Sequence, residues 1–395
     1  MANTIKLGNG NWATKEGSLL AYNDENNNFK PLPFTTTRAS SASVVNKQGL
    51  IETVGSGIPR IDFSDDANGA LLLEPSRTNL FLTSASGVYG SSPASETNTI
   101  SPDGTLNAVI PTPDTTSNRY QYDVSSGTYA TNTKLAYSWY RKRISTPIDT
   151  SHIGDLHIKS LSNASQVGST TQIESDVNGF DRFQAVLNIT DGSLPSIIRG
   201  YFGGVVGIGN SSVAYFGHQM ELGDFSTSYI PTYGSVKTRV LDVCTNSGND
   251  QVINSTEGTI YGEQKSLETD FNYNYFAAVS DGTQNNRLEI RQTGTGLQFL
   301  WRVGGNYQDA ITLPNAPFSS TIKYALRYSS TDIKFYVNGS LVDTINSPTL
   351  YSAGILNNIQ FADGENSNNF RGTVKECKYY NTALTDAELT TLTTI

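Results

Sequence analysis

Short runs of alternating hydrophobic and polar residues recur along most of this chain. In NRYQYDV, Tyr120, Tyr122 and Val124 fall on one side of an extended chain, and charged or amide residues fall on the other. Because successive side chains of a β-strand point to opposite faces, this two-residue period predicts a strand. The same reasoning predicts strands in KLAYSWYRKRI, FDRFQAVLNI and VAYFGHQMEL.

Local turn and capping signals predict two hairpins and one helix near the end of the chain. FYVNGSLVDTI places Asn338-Gly339 between two alternating runs, and this dipeptide favours the two-residue turn of a hairpin. LQFLWRVGGNYQDAITL is a second candidate, turning at Gly304-Gly305-Asn306. The only helix that we expect begins after Thr385, which forms a capping box with Glu388.

Composition supports an all-β protein. The chain has 21 Tyr and 16 Phe, which favour strands, and 35 Gly, which favour turns. Regularly spaced strands without helices between them indicate β-sandwiches. We therefore predict two antiparallel β-sandwich (jelly-roll) domains preceded by an extended N-terminal attachment arm.

The pattern divides the 395 residues into four parts. Residues 1–50 contain few large hydrophobic anchors and cannot bury enough apolar area to fold alone, so we predict an extended attachment segment. Residues 51–81 hold three short extended segments and form a β connector. The two sandwiches occupy residues 82–245 and 250–395.

The polar corner in LLLEPSRTNLF indicates a structural role rather than a catalytic one. Leu71–Leu73 forms a buried strand that Pro75 ends, because proline cannot donate to a ladder. Glu74 and Arg77 are close enough to pair across the turn. Asn79 can form a hydrogen bond with its own backbone as the chain returns to the core.

Charge and hydropathy exclude two classes of partner. The formal net charge is −9 and no Lys/Arg run is present, which argues against nucleic-acid binding. The N-terminus MANTIKLGNG has no apolar h-region, so we expect no secretory signal. The least polar window, 197–216, is interrupted by Arg199 and several glycines, so we expect no membrane insertion. Cys244 and Cys377 are expected to be reduced and buried, as in a protein assembled in a cytosol.

Patterns of catalytic and metal-binding residues are weak. β-Glucanases of sandwich fold carry Glu-x-Asp-x-x-Glu on one strand, and no such run occurs. The nearest approximations are Glu174 with Asp176, Glu221 with Asp224 and Glu268 with Asp270. We predict no catalytic residue and no enzyme activity. SDDANG (64–69) has the oxygen ligands of a partial calcium loop, but a plain hairpin turn is favoured, so no metal or cofactor is predicted.

Aromatic side chains beside amides and acids provide the candidate sugar contacts. The candidates are Tyr307, Asn306, Trp301 and Asp309 around the Gly304-Gly305 turn, and Tyr120, Tyr122 and Tyr140 in the middle domain. For each of them core packing is the alternative, and it is favoured for Trp301.

Three regions carry a resemblance to a known class of proteins. LLLEPSRTNLF, preceded by FTTTRASSASVVNKQGLI and IPRIDF, resembles the N-terminal block of tailed-phage virion fibre or adhesin proteins. YFGHQMELGDFSTSYIPTYGSVKTRVLDV resembles the last strand and exit of their carbohydrate-binding-module-like jelly roll. The C-terminal region resembles a laminin-G/concanavalin A-like domain, with YVNGSLV as its hairpin and YYNTALTDAEL as its closing strand and helix.

The resemblance implies a phage virion structural protein, a tail or head fibre or adhesin, that binds host surface polysaccharide. It implies that the N-terminal segment contacts other virion proteins, that the chain forms a homotrimer, and that it resides in the virion after assembly in the bacterial host cytoplasm. Two alternatives remain open. One is a head decoration or tail scaffold protein that binds no glycan, and the other is a polysaccharide-degrading tail enzyme.

Overall fold

The computed structural model describes residues 5–21, 32–84, 94–96, 99–111, 119–127, 129–144, 157–160, 169–189, 196–203, 213–268 and 273–395. These residues are almost entirely β, in several antiparallel sheets, and one short helix is found among them. The predicted all-β class, with antiparallel sheets of jelly-roll type, is confirmed.

The first strands come from the N-terminal segment and connector: β1 (Ile5–Gly8), β2 (Thr14–Lys15), β3 (Ser18–Leu19), β4 (Phe34–Thr37), β5 (Ala42–Val45), β6 (Ile51–Val54), β7 (Ile61–Asp62), β8 (Ala70–Leu73) and β9 (Arg77–Asn79). The middle part forms β10 (Ala94–Glu96), β11 (Val109–Pro111), β12 (Arg119–Gly127), β13 (Lys134–Arg143), β14 (His157–Ser160), β15 (Ser169–Val177), β16 (Phe180–Asn188), β17 (Ser196–Gly203) and β18 (Val213–Leu222). The remaining elements are β19 (Lys237–Arg239), β20 (Val243–Thr245), β21 (Gly258–Ser266), β22 (Tyr273–Ser280), β23 (Arg287–Thr293), β24 (Gly296–Val303), β25 (Asn306–Pro314), β26 (Ile322–Tyr328), β27 (Asp332–Val337), β28 (Ser340–Asn346), β29 (Asn358–Gln360), β30 (Gly372–Tyr380) and α1 (Asp386–Thr393).

Two sheets form the C-terminal sandwich. One has eight strands, in the order β28-β27-β26-β21-β30-β8-β7 with β1 also paired to β30, and the other has five, in the order β25-β24-β23-β22-β29. Their facing sides fill one core, in which Phe276, Phe299 and Phe335 are fully buried. Alternating aromatic and branched residues on these strands supply that core, as the two-residue period requires.

The separate N-terminal arm is not confirmed, because the described N-terminal residues pack into the C-terminal sandwich. Strand β1 pairs with β30 from Ile5↔Tyr379 to Gly8↔Glu376, and Leu7 lies in the core. Strand β8 pairs with the other half of the same β30 edge. An exposed strand edge is a site for unwanted pairing, and β1 and β8 together cover this one.

The middle sandwich consists of a six-stranded sheet, β10-β11-β18-β13-β16-β15, and a three-stranded sheet, β12-β17-β14. Trp139 and Tyr137 lie in the core on one side of the six-stranded sheet. The opposite side is covered by the β5–β6 hairpin, which brings Val45 and Ile51 against Tyr140 and Phe216. The end of the N-terminal segment and the start of the connector are therefore part of the packing of the middle sandwich.

The local predictions for the C-terminal region are confirmed. Asn338 and Gly339 have φ of 49° and 81° and join β27 to β28, while Gly304 and Gly305 join β24 to β25. Positive φ at both turn positions is what a tight hairpin requires. Thr385 caps α1 in a complete capping box with Glu388.

The predicted turn in SDDANG and the predicted state of the cysteines also agree with the structure. Strands β7 and β8 pair on either side of that turn, with Ile61 opposite Leu71. Cys244 and Cys377 are free and buried.

A buried ion network joins the connector to the segment that follows the middle sandwich. Glu74 pairs with Arg60 at 2.6 Å and with Arg239 at 2.8 Å. Asp242 pairs with Arg38 at 2.9 Å and also with Arg60. Guanidinium groups suit such sites because they donate several hydrogen bonds at once. The network is a chain in which cations and anions alternate, so each of the two carboxylates lies between two guanidinium groups.

The LLLEPSRTNLF corner is structural, as predicted, but its ion pair is a different one. Glu74 contacts Arg60 and Arg239, whereas the Arg77 guanidinium lies 5.2 Å from the centroid of the Phe225 ring. The Asn79 carboxamide oxygen accepts from the backbone N–H of Phe81 at 3.0 Å, which is the local turn that the sequence predicts. It also accepts from the N–H of Met220 at 3.0 Å, so Asn79 connects the corner to strand β18.

Candidate functional site

A row of polar side chains crosses the five-stranded sheet on the side away from the core. Tyr275 lies opposite Arg291, Arg291 opposite Gln298, and Gln298 opposite Thr312, so the row spans β22 to β25. Directly opposed residues of antiparallel strands share a face and touch. We call this side of the sheet, with the exposed Tyr273 beside the row, the outer face.

Hydrogen bonds hold the row in one arrangement. The Arg291 guanidinium donates to the Gln298 side-chain oxygen from Nε at 3.1 Å and from Nη2 at 2.7 Å. The Gln298 amide nitrogen then donates to the Thr312 hydroxyl at 3.1 Å. The remaining arginine nitrogen, Nη1, donates to Glu289 at 3.1 Å. A preorganised row of donors and acceptors loses little side-chain entropy when it meets a ligand.

Two tyrosines form an aromatic platform at one end of the row. The rings of Tyr273 and Tyr275 stack with centroids 6.3 Å apart, and the Arg291 guanidinium lies 4.9 Å from the first centroid and 5.9 Å from the second. Tyr273 is 51% exposed, whereas Tyr275 is buried beneath its neighbours. Cation–π contacts of this kind fix the tyrosine ring that faces solvent.

The outer face carries an excess of positive charge. Arg287 and Arg291 pair with the buried Glu289, Arg302 lies opposite Arg287 on the next strand, and Asp363 lies nearby. Burial raises the pKa of the Glu289 carboxyl, and the two arginines paired with it oppose that rise. The buried Arg302 Nε has no hydrogen-bond partner among the described residues, so one donor of this face is unused.

The turn residues predicted as sugar contacts lie at the other end of this sheet. Tyr307 is opposite Arg302 and is 56% exposed, so its ring belongs to the outer face. Asn306 is exposed at the start of β25. Asp309 is also exposed, but it does not belong to the outer face. It lies opposite Trp301, whose ring is in the core, so both side chains are on the core side of the sheet.

Two of the residues predicted to contact sugar are buried in cores, which corrects those predictions. Trp301 is 2% exposed, stacks on Phe299 with centroids 5.5 Å apart, and donates from Nε1 to the Thr349 carbonyl at 3.2 Å. Tyr140 is 1% exposed and packs against the connector. Neither ring offers a face to a ligand, because both fill cores, which was the alternative interpretation.

Tyr120 and Tyr122 lie on β12, but their side chains fall outside the described residues. Tyr273, Arg291 and Gln298 were not predicted. The alternation in YNYFAAV and RLEIRQT indicates strands, but it does not reveal which residues of different strands become neighbours. Only the register of the three strands β22, β23 and β24 brings these three residues together.

The described part of the chain contains neither a metal-ligand cluster nor a membrane-spanning helix. No group of three His, Cys, Asp or Glu side chains there is arranged to hold a metal ion. No helix there has the length and apolarity needed to cross a membrane.

Comparison with known proteins finds a family model that is similar to the C-terminal sandwich. Residues 249–390 match the family model described as the concanavalin A-like lectin/glucanases superfamily. No curated protein matches the chain.

Several solved structures are similar to part of this chain at a low level. The CBM40 domain of the Ruminococcus gnavus IT-sialidase, bound to alpha2,3 sialyllactose, is 21% identical over 35% of this chain and 83% of that chain, with a TM-score of 0.32. Domain 4 of AbnA, a GH43 extracellular arabinanase from Geobacillus stearothermophilus, is 13% identical over 42% of this chain and 81% of that chain, with a TM-score of 0.32. A SAP-like pentraxin from Limulus polyphemus is 17% identical over 35% and 70%, with a TM-score of 0.28. Similarity at this level does not indicate a ligand.

Proposed function

We propose that this protein binds carbohydrate through the outer face of its C-terminal sandwich. The observation that carries the proposal is the row from Tyr275 through Arg291 and Gln298 to Thr312, flanked by the exposed ring of Tyr273. An aromatic ring can stack on the apolar side of a pyranose while amide, hydroxyl and guanidinium groups bond its hydroxyls. The family model's description includes lectins, which is consistent with this use of the fold.

The charge of the outer face suggests which carbohydrates it prefers. Three arginines, Arg287, Arg291 and Arg302, outnumber the acids Glu289 and Asp363. A carboxylate on a sugar would add a charge-assisted hydrogen bond to such a face. Acidic saccharides are therefore expected to bind more tightly than their uncharged counterparts.

Binding rather than hydrolysis is proposed for this face. The family description also names glucanases, which need two carboxylates placed on either side of a scissile bond. Glu289 is buried and engaged in ion pairs with Arg287 and Arg291. That environment suits a structural acid that orders the arginines.

The proposed biological setting is a phage virion, in which the chain acts as a fibre or adhesin that attaches to host surface polysaccharide. This part is supported by the resemblance of LLLEPSRTNLF and of the segment ending in SYIPTYGSVKTRVLDV to virion proteins. Homotrimerisation and assembly in a bacterial cytoplasm belong to the same proposal. Labelling of this chain on imaged particles, and sedimentation of the purified protein, would check location and subunit number.

Glycan arrays followed by calorimetric titration test the binding proposal. Tyr273→Ala should weaken binding of the best acidic glycan by roughly tenfold, because the loss of one aromatic contact is worth about 1.4 kcal/mol. Tyr307→Ala should weaken binding of longer glycans that reach the far end of the face. Tyr233→Ala is the matched control, since Tyr233 is 75% exposed and lies in the exit segment. Equal affinity of Tyr273→Ala and the control would contradict the proposal.

A further inference from the structure

A second concave region lies where three parts of the chain meet. A cleft of about 500 Å³ is lined by the middle sandwich, the connector and the C-terminal sandwich. Gln172 and Glu174 come from β15, Asp62 from the connector, and Lys265 from β21. Small-ligand sites are concave, occur preferentially between domains, and have volumes of a few hundred Å³, a range that includes this cleft.

Hydrogen bonds fix the polar groups on the wall of the cleft. Arg182, which is 1% exposed, donates to Glu174 at 2.7 Å, to the Ser138 hydroxyl at 3.0 Å and to the Thr227 carbonyl at 2.6 Å. The Tyr140 hydroxyl donates to the other Glu174 oxygen at 3.2 Å. The Glu174 side chain keeps 17% exposure. Its carboxylate is therefore oriented by buried partners while remaining accessible.

The cleft also contains an unused polar group. The Ser226 hydroxyl is buried without a hydrogen-bond partner among the described residues, although the Ser226 backbone N–H donates to Gln184 at 3.0 Å. Both residues line the cleft. Buried hydroxyls are normally paired, so a ligand hydroxyl is a suitable partner for this one.

The charged residues and the apolar surface of the cleft indicate which class of ligand it can bind. Three carboxylates, of Asp62, Asp65 and Glu174, face two cations, Arg182 and Lys265, so the cleft disfavours anions. A fourth acid of the lining, Glu74, is already neutralised by two arginines of the buried ion network. The half-buried ring of Phe225 adds an apolar surface next to these acceptors.

We infer that this cleft is a second carbohydrate site, separate from the outer face, which takes a short uncharged saccharide. Its carboxylates would accept hydrogen bonds from sugar hydroxyls, and its amides would donate to them. Phe225 would contact the apolar side of a sugar ring. The inference goes beyond the proposed function because none of the cleft residues belongs to the outer face. Either site can fail without the other.

Calorimetric titration of the full chain with neutral trisaccharides of glucose, galactose or mannose, and with trigalacturonate, tests the inference. Ser319→Trp places a large ring at the exposed rim of the cleft, and Ser320→Trp is its matched control because Ser320 is exposed but does not line the cleft. Gln172→Ala removes an exposed amide from the wall of the cleft. Its control is Thr171→Ala, because Thr171 is the neighbouring exposed residue and does not line the cleft.

Trigalacturonate also meets the arginines of the outer face, so its binding should survive Ser319→Trp. At least one neutral trisaccharide should bind to the cleft. Its affinity should fall at least tenfold in Ser319→Trp and severalfold in Gln172→Ala. It should stay within twofold in both controls and in the outer-face variant Tyr273→Ala. The inference is overturned if no neutral trisaccharide binds, if binding survives Ser319→Trp, or if Tyr273→Ala alone removes it.

Discussion

At the scale of single residues, the most constrained side chain is Glu74. Its carboxylate accepts from Arg60, from the Ser228 backbone N–H at 2.7 Å and from the Ser228 hydroxyl at 2.7 Å, while Arg239 pairs with it at 2.8 Å. These interactions lower its pKa to about 2, although burial alone would raise it. The sequence indicates a corner at Glu74, but its partners Ser228 and Arg239 lie more than 150 residues away, so no local pattern could reveal them.

Glu74→Gln tests the importance of this network for stability. Removing the negative charge leaves Arg60 and Arg239 buried with too few acceptors, so we expect a loss of about 3–5 kcal/mol in the free energy of unfolding. Urea denaturation measures this change. Glu52→Gln, at an exposed position of β6, should stay within about 0.5 kcal/mol. A loss that small in Glu74→Gln would show that the network is not a major source of stability.

The pKa of Asp62 is shifted upwards, in the opposite direction to that of Glu74. Burial raises its pKa to about 6, against hydrogen bonds from Ser64 and from the Val45 backbone, and the nearby Glu174 adds to the rise. Because the folded-state pKa lies above the ordinary value of 3.8, the contribution of Asp62 to stability is fully present below about pH 4 and is lost as pH rises through 6.

Asp62→Asn should therefore flatten the pH dependence of stability between pH 4 and 7. Thermal or urea unfolding at several pH values measures the slope for the variant and for the wild type. The wild type should lose stability relative to Asp62→Asn as pH rises in this interval. Parallel curves would contradict the raised pKa.

At the scale of elements, the sequence was sufficient to predict those hairpins and helix ends that depend on residues adjacent in the chain. The Asn338-Gly339 hairpin and the capped helix α1 follow from residues adjacent in sequence. Strand β1 could not be assigned in this way, because its pairing with β30 joins residues more than 360 positions apart. Its short IKLG sequence, next to the polar NGN, gives no indication that Ile5 and Leu7 enter a distant core.

Leu7→Ala tests whether β1 belongs to the C-terminal sandwich. Leu7 is fully buried in that core, so its truncation should cost about 2–5 kcal/mol of unfolding free energy. Lys15→Ala, at an exposed position of β2, serves as the control and should change stability by less than about 0.5 kcal/mol. Chemical denaturation followed by tryptophan fluorescence reports both. An unchanged midpoint in Leu7→Ala would restore the picture of a detached arm.

At the scale of the whole molecule, the N-terminal segment, the connector and the exit from the middle sandwich act as shared architecture. The β5–β6 hairpin, which joins the N-terminal segment to the connector, packs on the middle sandwich. Strands β1 and β8 complete the C-terminal sandwich, and the buried ion network involves residues of the N-terminal segment, the connector and the exit. The sequence predicts the all-β class because strand periodicity repeats throughout the chain. It does not predict the outer face, since Tyr275, Arg291 and Gln298 become neighbours only through the register of the folded sheet.

A crystal structure of the full chain with the best acidic glycan from the array tests the central claim most directly. The account predicts a sugar ring stacked on Tyr273, with hydrogen bonds to Arg291 and Gln298 on the outer face. A glycan bound away from β22 to β25, with the outer face exposed only to solvent, would contradict it.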